Sequence, residues 1–361
     1  TGFSIVTSIL ISGVFVAFYT IIGGINAVIW TDVIQTIVLV LGGLLTLGVI
    51  INHLPGGLGQ IFSVAIADGK LSLSEMTSSG FRSIGWGLSI TKKTGTMLFL
   101  VGLTSWLTEY SANQNIIQRY AAAKSTYEAR KAMLVCVLSS IPIWAFYMFL
   151  GTSLYVFFQI FPTIEATEML DGTRKAEQIF PYFILNFLPP GLTGLVIAAA
   201  LAAAMSSLDS SINAISTVGV VDIYRRHLKK NKKDSHYLQV AWIIAGCAAI
   251  FMVGGALILN VSETKTLQDT ATILASITGG GLLGLYLLGF FTKYGNAKSV
   301  WIGLIATSLF TTWTILSSRG WVPDWMHVPF DLYYTGLIGN IIMFTIAIIV
   351  AIILTDKKKL I

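Results

Sequence analysis

Long apolar stretches separated by short polar connections recur along this 361-residue chain. A helix of about 20 mostly apolar residues spans the hydrocarbon core of a bilayer. The pattern therefore predicts an all-α integral membrane protein, a multi-span helical bundle with nine spans. The nine stretches lie at roughly 3–22, 28–52, 94–118, 132–159, 191–222, 238–260, 268–291, 299–317 and 333–354.

Lysine and arginine concentrate in every second connection. Cytoplasmic loops of membrane proteins carry an excess of these residues, so the alternation predicts that the basic loops and the C-terminus lie in the cytoplasm. We expect the spans to lie in the cell inner (plasma) membrane. The acidic residues Glu165, Glu168, Asp171 and Glu177 follow the fourth span, on the predicted outer side. The basic residues are Arg119, Lys124, Arg130 and Lys131, then Arg225, Arg226, Lys229, Lys230, Lys232 and Lys233, then Lys293 and Lys298, and finally Lys357 to Lys359.

Composition agrees with lipid as the main solvent. The chain is 55% hydrophobic and 11% charged, with a mean hydropathy of +0.77, whereas soluble domains carry about 25% charged residues. The net charge of +6 sits in the loops, where anionic lipid headgroups attract it, so nucleic acid is not an expected partner. Cys136 and Cys247 fall inside apolar stretches, and we expect them to be buried thiols. With no nucleophile–base set and no cluster of metal ligands, the sequence does not indicate an enzyme.

Two connections, 53–92 and 160–190, are long enough to fold locally. Both would lie outside, either as lids or as plain surface connectors. A glycine run, Gly279 to Gly281, falls inside the seventh span and predicts a helix break or a close packing point rather than a phosphate-binding loop.

The fifth span carries a polar face. Ser206, Asp209, Ser210 and Asn213 stand at i, i+3, i+4 and i+7, so a helix places them on one side together with Ala203. Hydroxyl, carboxylate and amide oxygens are hard ligands suited to a small hard cation, and a carboxylate inside a membrane costs about 2.5–3.5 kcal/mol on the insertion scale. A bound monovalent cation would offset that cost.

The same face has a second interpretation. Small and hydroxyl residues also hold membrane helices together, and Asp209 could cap a backbone or reach the cytoplasmic surface. Both interpretations remain open from the pattern alone.

A second acidic position follows the first span. Gly23 and Gly24 permit a tight turn, after which Asp32 lies in the first or second turn of the next helix and Gln35 points the same way. An acid favoured by the helix dipole is the alternative to an ion ligand.

The third span ends in a polar run. Glu109, Asn113 and Gln114 could line a solute path or satisfy a neighbouring helix, while Trp106 and Tyr110, at i and i+4, could form an aromatic gate or an interfacial anchor.

Three ordered stretches together resemble the sodium:solute symporter family, and most closely its bacterial sodium/sugar and sodium/sialic acid branches. They are Tyr19 to Gln35, Asn113 to Ser125 with its Gln118-Arg119-Tyr120 run, and Ala198 to Asn213. Leu287 to Phe291, followed by Lys293, is similar to a further helix end of the family.

The resemblance implies the leucine-transporter-like fold of two inverted five-helix repeats. On that plan, 1–52 are the last two helices of the first repeat, 53–92 are an external connector, 93–291 form the second repeat, and 292–361 hold two peripheral helices and a basic tail. We expect three further core helices to precede this sequence.

The resemblance also implies sites. The main sodium position corresponds to Ala203, Ser206 and Ser207, and a second position to Asp32, Ser206, Asp209 and Ser210, although Asp209 stands where several family members have Ser or Thr. Thr272 and Ser276, before the glycine run, would face the solute with the third-span residues.

The expected function is sodium-coupled symport of a small organic solute, a sugar or a sialic-acid-like molecule, by alternating access. Sugar-transporting members carry Asn at the position of Trp106 and an aromatic residue at that of Glu109, so a simple hexose fits less well. The alternatives are a proton-coupled carrier on the same fold, with Asp32 and Asp209 as relay, and a channel or sensor without coupled transport.

Overall fold

The computed structural model of the chain describes residues 3–72, 74–77, 80–261, 279–318 and 320–359. Apart from a short hairpin and three 3₁₀ turns, the regular elements of these ranges are helices. Their bounds are α1 Ile5–His53, α2 Gly57–Ala67, β1 Ser74–Thr77, β2 Gly80–Ser83, α3 Gly95–Ala112, α4 Gln114–Ala121, α5 Thr126–Ile160, α6 Ile164–Leu170, α7 Ile179–Phe187, α8 Pro190–Thr217, α9 Asp234–Val261, α10 Leu282–Phe291, α11 Ala297–Ser318 and α12 Thr335–Lys359.

Six of the described helices are long and apolar enough to cross a membrane. They are α1, α5, α8 with its continuation, α9, α11 and α12. The 49 residues of α1 contain the first two predicted spans, and α10 is the described end of the seventh. The fold class is thus all-α and membrane-spanning, while the count of nine spans stays a prediction.

The break inside α1 falls at the second glycine of the Gly23-Gly24 pair. Gly24 has φ 56° and ψ −153°, the only non-helical backbone within the described α1. A side chain would be strained at this positive φ, whereas glycine adopts it freely. The break divides α1 into 5–23 and 25–53, as the glycine pair predicts.

The chain divides into two compact units. The first contains Thr1–Asp68 and Gln118–Thr264, and the second contains Gly69–Ile117 and Lys265–Ile361. In the first unit α1 packs along α8, and α9 packs against both. A core of aromatic rings joins α5 to α7, with Phe157 at its centre and only 1% exposed.

The third predicted span is wrong at its C-terminal end. The helix α3 stops at Ala112, and Asn113 takes an extended conformation with φ −75° and ψ 122° before α4 begins at Gln114. The Asn113 side chain accepts a hydrogen bond from the Asn115 backbone at 2.9 Å. This local bond competes with the helical one, which is why asparagine favours such breaks.

The fifth predicted span is confirmed and extends further toward the basic loop. Pro190 occupies the first helical position of α8, where its missing N–H costs nothing. Beyond Thr217 the helix continues in a π-helical form over Val218–Leu228.

In the second unit α10, α11 and α12 approach closely through glycine. The Gly284 N–H donates to the Asn340 side chain at 2.9 Å, and a Cβ at Gly284 would collide with the Asn340 carbonyl. Gly281 has φ 95° and directly precedes α10. The part of the seventh predicted span before the glycine run lies outside the described residues, so the helix break stays a prediction.

The expectation for the two cysteines is wrong. Cys136 and Cys247 are exposed on α5 and α9. Apolar surface on a membrane helix faces lipid as readily as protein, so an apolar neighbourhood in sequence does not imply burial.

Candidate functional site

The polar face of α8 meets α1 at a buried carboxylate. Asp209 has 0% exposure and Ser210 has 7%. The Tyr19 hydroxyl donates to Asp209 Oδ2 at 2.6 Å, and the Ser210 hydroxyl lies 3.3 Å from Oδ1. Thr31 Oγ1 is 3.4 Å from Oδ2. A single carboxylate therefore gathers hydroxyls from both parts of α1 and from its own helix.

The break at Gly24 makes this convergence understandable. Tyr19 precedes the break and Thr31 follows it, and both parts of α1 pack along α8. Thr31 also donates to the carbonyls of Ala27 and Val28, at 2.8 and 3.0 Å. Its contact with Asp209 is accordingly the weaker one.

The second predicted acid, Asp32, has a different environment. The Arg119 guanidinium on α4 pairs with Asp32 Oδ2, and the same Nη2 donates to Ser210 Oγ at 2.7 Å. The side chains of Arg119 and Asp32 are 31% and 18% exposed. The other carboxylate oxygen, Asp32 Oδ1, is buried and accepts no hydrogen bond from the described residues.

An amide pair closes the cluster on the side of α4. Asn213 Nδ2 donates to Gln118 Oε1 at 2.8 Å. This bond joins α8 to α4. At Asn213 the polar face therefore holds two helices together, which is the second of the two interpretations given from the sequence.

The charges of the cluster do not balance. Asp32 and Asp209 contribute two negative charges when ionised. Arg119 contributes one positive charge, which pairs with Asp32. Among the described residues, the side chains that hydrogen-bond to Asp209 contribute neutral hydroxyls. Burying an unpaired charge is costly, and the oxygen ligands around Asp209 are of the kind that suits a small monovalent cation.

The predicted main sodium residues lie one to two turns earlier on α8. Ala203 and Ser206 are half-buried, and Ser207 is exposed. Their side chains take no part in the hydrogen bonds that join α8 to α1 and α4.

In the second unit one face of α3 lines a cavity of about 300 Å³. Glu109 and Asn113 both lie on it, and Asn113 Nδ2 donates to Glu109 Oε2 at 2.7 Å. The cavity's polar wall also contains Thr104, Ser105, Thr108, Tyr333 and Asn340.

The predicted aromatic pair is confirmed as a contact, although it does not line this cavity. The rings of Trp106 and Tyr110 are 5.8 Å apart at 47°. The cavity and the ring pair therefore occupy different sides of α3. Gln114 begins α4, while Thr272 and Ser276 lie outside the described residues.

Sequence reasoning did not assign Tyr19, Thr31 or Arg119 to the site. Arg119 stands in the Gln118-Arg119 run, and Thr31 directly precedes Asp32, yet neither spacing shows its partner. Tyr19 contacts Asp209 across 190 positions. Such contacts depend on how α1 and α8 pack, which local periodicity does not reveal.

The model of the sodium:solute symporter family matches residues 1–307. The chain therefore belongs to this family of transporters.

Similar proteins agree with that membership. The sodium/sialic acid symporter SiaT of Proteus mirabilis is 30% identical over 99% of this chain and 68% of its own length. The sodium/sialic acid symporter NanT of Aliivibrio fischeri is 29% identical, over 95% of this chain and 63% of the relative. The human sodium-coupled monocarboxylate transporter 1 is 27% identical, over 90% of this chain and half of the relative. The chain thus spans between half and about two thirds of these relatives.

A solved structure has the same fold. It is a substrate-bound, outward-open state of a Na⁺-coupled sialic acid symporter, with a TM-score of 0.79 and 29% identity over 98% of this chain and 68% of that one. The chain accordingly has the leucine-transporter-like symporter fold. It is a multi-pass membrane protein and a sodium-coupled symporter of a small organic solute, not an enzyme.

Proposed function

We propose that the protein accumulates an anionic, polyhydroxylated solute of the sialic-acid class by alternating access, driven by sodium that binds to the polar face of α8. The observation that carries the proposal is Asp209, a carboxylate with no exposed surface whose side-chain partners are hydroxyls. The names of two similar bacterial symporters support the solute class.

The proposed sodium ligands form two sets. The main position would take the backbone carbonyl of Ala203 and the hydroxyls of Ser206 and Ser207. These two hydroxyls take no part in the hydrogen bonds that join α8 to α1 and α4. The second position would take ligands from Asp32, Ser206, Asp209 and Ser210. These contacts favour Asp209 as the charged ligand of the second position, because Arg119 already neutralises Asp32.

The proposed solute region contains Trp106, Glu109, Tyr110, Asn113 and Gln114, together with Thr272 and Ser276. Support comes from the cavity beside α3, whose lining mixes hydroxyl, amide and carboxylate groups. Such a lining suits a solute with many hydroxyls.

The proposed orientation follows the lysine and arginine count. The C-terminus and the loop after α8 would lie in the cytoplasm, and the protein would reside in the inner (plasma) membrane. We also propose the division given by the family plan. Residues 1–52 end the first repeat, 53–92 form an external connector, 93–291 form the second repeat, and 292–361 hold two peripheral helices and the basic tail. Each sodium ion entering the cell would then contribute about 2.3 kcal/mol per 100 mV of membrane potential, in addition to its concentration gradient.

Uptake by the intact protein in proteoliposomes tests the sodium assignment. We expect Ser206→Ala and Ser207→Ala each to abolish sodium-stimulated uptake of N-acetylneuraminic acid, because each removes an oxygen ligand without changing the helix. Replacing sodium by choline at fixed pH should abolish wild-type uptake as well.

A matched control lies on the same helix. The Ser211 hydroxyl donates to the Ser207 carbonyl at 2.8 Å and belongs to neither proposed set, so Ser211→Ala should retain sodium-stimulated uptake. Wild-type rates in Ser206→Ala and Ser207→Ala would refute the ligand assignment, and uptake that persists in choline would refute sodium coupling of this solute.

A further inference from the structure

The segment 84–94, which leads into α3, is fixed to the turn before α12. The Asp331 backbone N–H donates to the Ile90 carbonyl at 2.7 Å. The Tyr334 hydroxyl donates to the Ser89 carbonyl at 2.9 Å. Both bonds join parts of the second unit. They hold the segment 84–94 in a fixed position against the turn before α12.

The tryptophan of this segment, Trp86, has a largely exposed side chain. Trp86 is 73% exposed. A Cβ added at Gly95 would lie 3.0–3.2 Å from three atoms of its indole, so the ring rests on the backbone at the start of α3. The Gly95 N–H also donates to the Gly85 carbonyl at 3.1 Å. The indole is thus supported from one side and accessible from the other.

Trp86 borders a cavity of about 520 Å³, within the 300–1,000 Å³ range typical of ligand pockets. We name it the Trp86 cavity. Its lining is rich in hydroxyl and charged groups, and its two lysines outnumber its one aspartate. The polar lining residues are Ser83, Ser89, Thr91, Lys92, Lys93, Thr94 and Asp331.

An exposed indole beside hydroxyl groups and lysines indicates which ligand chemistry the Trp86 cavity favours. The face of an aromatic ring carries negative potential, and the C–H groups of a sugar ring are suited to lie on it. Hydroxyl side chains match sugar hydroxyls, and the ammonium group of Lys92 is a point charge for a carboxylate. A lipid chain or an apolar peptide would cover the Lys92 ammonium group without providing a counter-charge, which is costly.

We propose that the Trp86 cavity is a second, weaker solute site that takes an anionic monosaccharide on the outer side, before the solute reaches the transport site. The inference rests on the solute class and orientation given above. Trp86 would provide the stacking surface, and Lys92 would select the anion over a neutral sugar.

Titration calorimetry of the intact, purified protein in saturating sodium tests the site, with N-acetylneuraminic acid as probe. We expect two classes of site in the wild type. Trp86→Ala should remove the weaker class and leave the affinity of the tighter class unchanged within about twofold. Lys92→Gln should weaken the weaker class about 1.5-fold to fivefold, the range for an exposed ion pair.

Trp325 supplies a matched control. It is 82% exposed in the same unit and does not line the cavity, so Trp325→Ala should retain both classes. Galactose, which has no carboxylate, should bind the weaker class less well than N-acetylneuraminic acid does, and Lys92→Gln should reduce that difference.

The outcomes are distinguishable. A single tight class in the wild type, or two classes that survive Trp86→Ala, would overturn the second site while leaving sodium-coupled uptake intact. A Trp86→Ala variant that alters only lipid-dependent thermal stability would make Trp86 an interfacial anchor and overturn it too. No binding of N-acetylneuraminic acid at either site would reject the proposed solute class, and the second site with it.

Discussion

Asp209 and Asp32 are both acids of one polar cluster, and they are stabilised in different ways. The oxygens of Asp209 lie near the hydroxyls of Tyr19, Thr31 and Ser210 and have no exposure. Asp32 is paired with the guanidinium of Arg119. Hydroxyls satisfy hydrogen bonds but do not cancel charge, so among the described residues a cationic side chain pairs with only one of the two carboxylates.

This difference predicts opposite effects for two similar substitutions. In sodium-free buffer, Asp32→Asn should lower the midpoint of thermal unfolding, because it leaves the Arg119 charge without its partner. The loss should be about 1–3 kcal/mol, below the range for a fully buried pair because both side chains are partly exposed. Asp209→Asn should leave the midpoint unchanged or raise it, because it removes an uncompensated buried charge.

Thermal unfolding with added sodium gives a second comparison of the two aspartate variants. Added sodium should raise the unfolding midpoint of Asp32→Asn and should raise that of Asp209→Asn less, because a ligand stabilises only the state that binds it. Combining Asp32→Asn with Arg119→Gln should recover part of the lost stability. Equal destabilisation by the two aspartate substitutions in sodium-free buffer would contradict the charge assignment.

At the scale of elements, the break in α1 decides which side chains meet α8. A continuous helix would carry Tyr19 and Thr31 on a rigid rod, with their relative direction set by twelve helical steps. The non-helical residue Gly24 resets that direction, and both side chains reach Asp209. The glycine is thus a structural requirement of the cluster through its backbone conformation.

Gly24→Ala should therefore destabilise the protein without any steric collision. No atom lies within 4 Å of the Cβ position at Gly24, so the cost is the positive φ of 56° alone. We expect about 1–3 kcal/mol, measured as a lower midpoint of thermal unfolding.

Gly48→Ala is the matched control on the same helix. Its Cβ position is equally open, and its backbone is helical. Alanine should be neutral there or stabilise by about 0.5–1 kcal/mol. A similar loss at both glycines would show that the break at Gly24 is not maintained by its backbone conformation.

Periodicity predicted the polar face of α8 correctly, because four residues at helical spacing need only a regular helix to share a side. It did not predict the end of α3 at Ala112, since the helix is interrupted by a side-chain-to-backbone bond of Asn113. That break places Gln114 on a separate helix from Glu109. Local hydrogen bonds of this kind compete with apolar patterns that extend past them.

At the scale of the whole molecule, the proposed topology depends on where charged loops lie. The loop after α8 is tied in place by Tyr237, whose hydroxyl donates to the Lys229 carbonyl at 2.8 Å and accepts from the Lys232 N–H at 3.1 Å. Thr173 lies in the acidic connection after α6 and is exposed. On the proposed orientation these two loops face opposite sides of the membrane.

Labelling with a membrane-impermeant maleimide tests this orientation. In a background with Cys136→Ser and Cys247→Ser, Thr173→Cys should be labelled on intact cells. Asn231→Cys should be labelled only after the cells are permeabilised, because the reagent cannot reach the cytoplasm. The reverse pattern would invert the topology, and with it the outer location of the Trp86 cavity.

The sequence by itself determined the membrane environment, the helical class, the polar face of α8 and the family, because each of these depends on composition, on a short repeat or on ordered motifs. Only the tertiary structure decided that Arg119 belongs to Asp32, that Tyr19 reaches Asp209 and that the cysteines are exposed. Those outcomes depend on which helices pack together and in which rotation. In a protein whose helices are apolar on almost every side, the apolar pattern does not fix that rotation, and specific polar contacts and glycine breaks do.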